Sequence, residues 1–308
     1  MLKTVETRKL GVKKGMKILV LFIFIFSSVV FTRAEDKRHS WNVVLSGGGF
    51  LGHNGDAGTF IQEYDRYYRT LAQAYGTSIS GSLNWPGAGM EFGAEIGYSF
   101  SSRLSVGVAV ERLSKKMEGS FLLGSGMDHY MNGTNHFMDM TLSAVSVSAT
   151  GRYAVPLTKT VSIVSRAGIG VLFGSLDRVL VRRFPNIGDE WILTGEYTAS
   201  GLTGQVGLAL IWDLMPQIAF QLDGGYRLAA LSNWSGKNSR VQGPEFEETS
   251  GNLYYLELQG DDRNPTVYHP SLSTGDPALY QDTVSYRACQ AGFTGFCLKA
   301  GIVVRFGR

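Results

Sequence analysis

Residues 90–111 read MEFGAEIGYSFSSRLSVGVAVE. Phe92, Ala94, Ile96, Tyr98 and Phe100 alternate with Glu91, Gly93, Glu95, Gly97 and Ser99. After Ser101-Ser102-Arg103, the residues Leu104, Val106, Val108 and Val110 alternate with Ser105, Gly107, Ala109 and Glu111. Two runs of period two joined by a short turn predict a β-hairpin with one apolar face and one small or charged face.

The pattern recurs along the chain. Residues 145–155 and 161–173 flank a turn at 156–160, and residues 202–212 and 218–228 flank a turn at 213–217 that holds Pro216. Trp41, Val43 and Leu45 supply a first strand, and the alternating run Phe296 to Phe306 supplies a last one, which makes eight. The three turns are short, whereas the other connections, about 47–88, 114–139, 174–200 and 230–292, are long. Short turns at one end, long loops at the other and strands of about 10 residues match the requirements of a bilayer-crossing barrel. In hydrocarbon every unpaired backbone group is costly, so the first and last strands must pair. The predicted fold is all-β: a closed eight-stranded antiparallel up-and-down transmembrane β-barrel with one short helix in the first long loop.

That helix is expected over 59–75, where Phe60, Tyr64, Tyr67, Leu71 and Tyr75 recur near the helical period between Gly58 and Gly76. It either packs against its own loops, covers the barrel mouth or lies at the membrane interface. The last long connection is acidic through Glu245, Glu247, Glu248, Asp261 and Asp262, and residues 241–251 and 252–259 offer a strand pair rising above the membrane.

Composition agrees with an exported, poorly charged surface. Hydrophobic residues make up 44% of the 308 residues and charged ones only 18%, with 39 Gly and 8 Pro, which excludes a coiled coil or an acidic disordered chain. The basic excess sits ahead of residue 35, and the remainder is slightly acidic, so no nucleic-acid partner is expected. Lys3, Arg8, Lys13, Lys14 and Lys17 precede an apolar run from Ile18 to Phe31, then Thr32-Arg33-Ala34. This reads as a signal peptide over 1–34, cut near Ala34-Glu35, with 35–308 as the barrel domain; an uncleaved anchor is the alternative.

The opening Val43-Val44-Leu45-Ser46-Gly47-Gly48-Gly49, the hairpin around Glu91 to Tyr98 with its Ser101-Ser102-Arg103 turn, and the terminal Gly301-Ile302-Val303-Val304-Arg305-Phe306 together resemble the eight-stranded outer-membrane β-barrel superfamily of the OmpA, OmpX and OmpW type. The resemblance covers residues 41–306 apart from the loops. It implies an outer-membrane location with both termini periplasmic, contact with outer-membrane lipid and lipopolysaccharide, and recognition of the terminal strand by the barrel-assembly machinery. Phe306 is followed by Gly307 and Arg308, a departure from a terminal aromatic.

Alternation assigns Glu91, Glu95, Glu111, Arg152, Arg166, Asp223, Arg227, Lys299 and Arg305 to the lumen, where charges must pair. An eight-stranded barrel is just wide enough for side chains to fill it, so an interlocked ion-pair core competes with an ion-conducting path. Trp41, Phe100, Tyr153, Trp212 and Phe306 form one expected aromatic girdle near the turns, and Phe92, Phe173, Tyr226 and Phe296 a second toward the loops. Asp128, His129, His136 and Asp139 form a loop cluster read as solvated rather than as a metal site. The loop histidines His53, His129, His136 and His269 make no readable catalytic arrangement with any Ser. Cys289 and Cys297 are too far apart on one extended strand for a disulfide, and no bond is expected unless 289–293 folds back.

The expected function is therefore non-catalytic: an integral outer-membrane barrel with a structural or surface-interaction role, a charge-filled lumen, no metal or cofactor, and a monomeric state, with an extracellular ligand at its loops as a further possibility. A small channel for ions or small apolar solutes is the alternative, and a lipid-modifying enzyme the third reading.

Overall fold

The computed structural model describes residues 40–52, 55–84, 87–124, 133–259, 269–274 and 283–306. The signal peptide, His53, Asp128, His129, Asp261, Asp262, Gly307 and Arg308 fall outside the described residues. In chain order the elements are β1 (Ser40–Gly52), α1 (Gly55–Ala74), β2 (Ile79–Ser82), β3 (Ala88–Ser99), β4 (Leu104–Leu123), β5 (Asn135–Pro156), β6 (Val161–Phe184), β7 (Asp189–Asp213), β8 (Ile218–Gln242), β9 (Glu245–Leu258), β10 (His269–Thr274), β11 (Thr283–Ala288), β12 (Ala291–Gly292) and β13 (Gly295–Phe306).

The sheet is antiparallel, and its pairings run in the order β8-β13-β1-β3-β4-β5-β6-β7, with β7 paired in turn to β8. Each of these eight strands thus has a partner on both edges. The first and last meet through Trp41 opposite Phe306 and Leu45 opposite Ile302. The tight turns after β3, β5 and β7 are closed by bonds such as Phe100 N to Leu104 O at 2.9 Å, Leu157 N to Val161 O at 2.9 Å and Leu214 N to Ile218 O at 3.0 Å. Ser40 pairs with Ser99 beside the first of these turns, so both described chain ends share that end of the sheet.

At the opposite end the structure departs from the expected loops. Residues 114–123, 135–139, 174–184, 189–200 and part of 230–292 continue as strand: β4 pairs with β5 out to Leu122–Asn135, and β6 with β7 out to Phe184–Asp189. The alternation never stops there; it exchanges its chemistry. On β4 the outward residues pass from Val106, Val108 and Val110 to Arg112, Ser114, Lys116 and Glu118, while the inward ones become Leu113, Met117 and Phe121. A search for outward apolar residues reads the upper half as loop, because its apolar residues have moved to the other face.

The upper half is filled like a soluble domain. Leu113, Met117, Met140, Leu172, Leu176 and Trp234 pack with the apolar side of α1, whose Phe60, Ile61, Tyr64, Tyr67, Tyr68 and Leu71 are buried. The helix begins four residues earlier than its predicted start at 59. Asp56 anchors that start, accepting bonds from Gln290 N at 2.8 Å and Arg287 Nη2 at 2.8 Å. Gly76, at φ 65°, closes the other end with Thr77 N bonded to Ala72 O at 2.9 Å, a left-handed C-terminal cap. The helix therefore packs inside the extended strands.

Candidate functional site

Below the helix layer the enclosed face of the ring changes from apolar to charged. Glu91 and Glu95 come from β3, Glu111 from β4, Arg152 from β5, Arg166 from β6, Asp223 and Arg227 from β8, and Lys299 from β13. All eight are buried. They arrive from six strands because period-two geometry sends every second side chain inward, and the register sets their heights.

The network has a doubly bridged centre. Arg227 grips Glu91 with both terminal nitrogens, at 2.6 and 2.9 Å, and reaches Glu111 at 2.7 Å. Lys299 touches the same two carboxylates at 2.9 and 2.8 Å. Arg166 continues from Glu111 at 3.2 Å to Glu95 at 3.1 Å and Asp223 at 3.4 Å. Arg152 holds Glu95 at 2.7 Å. Four carboxylates thus face four cations, and the sum is neutral. Neutrality and multiple bonds per charge are what make burial tolerable, because an isolated ion in a low-dielectric interior is very costly. Gly107 keeps the space beside Glu95 open: a Cβ there would lie 3.2 Å from Glu95 Oε1 and 2.6 Å from Ile96 O.

Arg305 does not join this network. It pairs with Asp213 at 2.7 Å at the turn end. An apolar layer of Val44, Val164, Ala209, Ile211, Ala219 and Val303 occupies the enclosed face on that side of the charges. The alternation phase of Arg305 is correct, but its height places it at the rim. The described interior therefore stacks three layers: an apolar floor, the charge network, and the helix-filled core.

Several buried polar groups carry no signal of their own in the sequence. Thr150 donates to Glu95 at 2.9 Å, and Gln221 accepts from Arg152 at 3.3 Å and donates to Asp223 at 3.3 Å. Their inward phase is readable once the charged residues fix it. Higher up, Arg178 donates to Asn238 Oδ1 at 3.0 Å and Leu272 O at 3.1 Å, and Lys115 donates to Gly52 O at 3.2 Å. Both sit in the segments expected as loop.

His136 and Asp139 do not form a cluster. His136 is buried, stacked on Phe121 at 4.6 Å, with Tyr64 OH 3.0 Å from its Nδ1. Asp139 faces outward and pairs with Lys116 at 3.1 Å. Opposite parity on one strand sends them to opposite faces. Arg182 Nε also donates to Tyr64 OH, at 3.0 Å, and burial holds the Tyr64 phenol well above its ordinary pKa. Cys289 and Cys297 are buried and unbonded. Glu245, Glu247 and Glu248 lie exposed on β9.

The outer face carries the aromatic residues. Trp41, Phe92, Phe100, Phe173, Trp212, Tyr226, Phe296 and Phe306 are exposed and Tyr153 half-exposed. Leu202 at 74% and Phe296 at 70% exposure would be anomalous in water. Trp41 and Tyr98 stand 5.1 Å apart, as do Tyr226 and Phe296.

No family model matches the chain, and no curated protein matches it. Among solved structures it is similar to the outer membrane protein OprG from Pseudomonas aeruginosa, with a TM-score of 0.38 and 13% identity over 88% of this chain and 99% of that one. A major outer membrane protein from Thermus thermophilus gives 0.35 and 13% over 87% and 99%. The outer membrane protease OmpT from Escherichia coli gives 0.26 and 10% over 87% and 97%. All three of these are outer-membrane proteins.

Proposed function

We propose that this chain is an integral outer-membrane protein: a closed eight-stranded barrel, stoppered by its own side chains, with a structural or surface-interaction role and no catalytic one. The observation that carries this reading is the inverted polarity of the strand ring, apolar outside and charged inside. On β6 the outward face from Ile163 to Phe173, apolar except for Ser165, spans ten steps, about 33 Å along the strand at ~3.3 Å per residue. At a tilt of ~40° that is about 25 Å of height, the apolar band of a bilayer-crossing barrel. The tight turns and both described ends then face the periplasm, and the extended upper half faces the exterior.

The three filled layers favour a plug over a channel. The test has two steps. Refolded full-length protein is compared on SDS gels with and without boiling, and a mobility difference is expected. The inserted protein is then placed in a planar bilayer, where a silent trace is expected. Unchanged mobility of refolded protein overturns the barrel; steady, reproducible conductance steps overturn the plug and restore the channel.

A further inference from the structure

We propose that the outer wall carries a groove for the phosphate-bearing headgroup of a membrane lipid, with Arg112 as the anion ligand. The inference rests on the membrane-spanning reading above and goes beyond it by assigning a specific site.

The β7–β8 ladder is interrupted once. Its register passes from Thr198 opposite Ser235 to Ser200 opposite Ser232, so Asn233 and Trp234 stand opposite the single residue Ala199. Trp234 turns inward and is fully buried. Asn233 stays exposed at φ 57°, a left-handed conformation that no other non-glycine among the described residues adopts. Such bulges re-aim side chains, and strained backbone of this kind concentrates at functional positions.

The bulge borders a cavity of about 660 Å³ on the outer wall, which runs from Arg112 on β4 to Ser235 on β8. Its chemistry is divided. Val145 and Phe173 line its membrane side, and the apolar wall continues below them through Val171 and Leu202. Hydroxyls of Ser143, Ser175, Thr198 and Ser200, the Asn233 amide and the Arg112 guanidinium line the rest. No carboxylate among the described residues borders it.

Arg112 is the decisive residue. It is exposed and makes no ion pair with the described residues, whereas other outward cations of this wall are neutralised. Lys116 has Asp139 at 3.1 Å, Arg183 has Glu190 at 2.5 Å, and Lys237 has Glu248 at 3.0 Å. An uncompensated guanidinium and a set of neutral donors, placed where each strand's apolar run ends, match an anionic group carried on hydrocarbon. A planar guanidinium binds phosphate in bidentate fashion. A free anion would use only the polar rim and leave the apolar side of the groove idle, so the occupant is the lipid itself.

The test uses refolded full-length protein in detergent micelles, with insertion competence first established by heat-modifiable gel mobility. Native mass spectrometry then follows titration with phosphorylated lipid A and with the same lipid after phosphatase treatment. The wild type is expected to take one phosphorylated lipid at least about tenfold more tightly than the dephosphorylated form, the effect of one charge-assisted contact. Arg112→Ala removes that preference, and Arg112→Lys keeps part of it. Equal binding of both lipids, or an Arg112→Ala variant indistinguishable from wild type, overturns the site while leaving the barrel intact. Full displacement of lipid by inorganic phosphate, or occupation of the face by a second copy, overturns it in favour of a simple anion pocket or a dimer contact. Loss of the gel-mobility difference in the wild type overturns the membrane reading itself.

Discussion

Replacing Arg227 with Met probes the charge network at its centre. The wild-type guanidinium makes three contacts, at 2.6, 2.9 and 2.7 Å, with Glu91 and Glu111. Met fills similar volume and donates nothing, so the interior passes from neutral to one uncompensated negative charge. Removing one partner of a buried pair costs about 3–5 kcal/mol. Lys299 still touches both carboxylates, at 2.9 and 2.8 Å, which places the loss toward the lower end, near ~3 kcal/mol. The companion variant Arg227→Met/Glu91→Leu removes a cation and an anion together, and it is expected to recover most of that loss because matched apolar replacement of a buried pair is often neutral. Reversible urea unfolding in lipid vesicles, followed by tryptophan fluorescence, measures both. A single variant within about 1 kcal/mol of wild type, or a double variant worse than the single, would refute the argument that burial of balanced charge governs this layer.

Further predictions concern the other layers. Ile169→Lys, near the middle of the outward apolar run, should destabilise the inserted barrel by about 2–4 kcal/mol and Ser175→Lys by no more than ~1 kcal/mol, measured by the same unfolding assay. Gly48→Val should abolish refolding to the heat-modifiable form, since a Cβ there would meet Leu298 O at 2.0 Å across the β1–β13 seam. Tyr64→Phe, which removes the hydroxyl shared by His136 and Arg182, should cost about 1–3 kcal/mol in thermal or urea unfolding. Burial raises Tyr64, and Tyr255 is pushed up to about 12, so both stay protonated in the fold while an unfolded tyrosine ionises near ~10. The Tyr255 contribution to stability is then complete below pH ~10 and is lost as pH rises from there toward 12, and that of Tyr64 likewise begins to fall only above pH ~10, which an ultraviolet tyrosinate titration should display as a fraction that ionises late.

How much of this is legible in the sequence follows from where the alternation has one meaning. Around Glu91, Glu95 and Glu111 the outward partners are Phe92, Ile96 and Val110, and parity alone sends the acids inward. The same parity governs Leu113, Met117 and Phe121, yet there the inward side is apolar, and the segment reads as loop to anyone expecting lipid outside. The helix is visible in its aromatic spacing, but its destination depends on those extended strands. Arg305 shows the limit of parity: it gives the face and not the height. The groove beside Arg112 is not legible, because the bulge at Asn233 is a register event between two strands; in the sequence it leaves only a change of phase on β8, from inward Leu231 to inward Trp234, and nothing on β7.

The exchange of polarity along β4 to β8 also bears on fidelity. A strand that is apolar outward in one half and apolar inward in the other is proofread twice. Slipping β4 by one residue would turn Glu111 toward hydrocarbon and, on the same rigid ribbon, Leu113 toward water and Lys116 into the core beside the helix. Neither error can be relieved without correcting the other. Misregistered intermediates should therefore be separated from the correct pairing by an unusually wide gap in energy, built from ordinary residues and requiring no special seam.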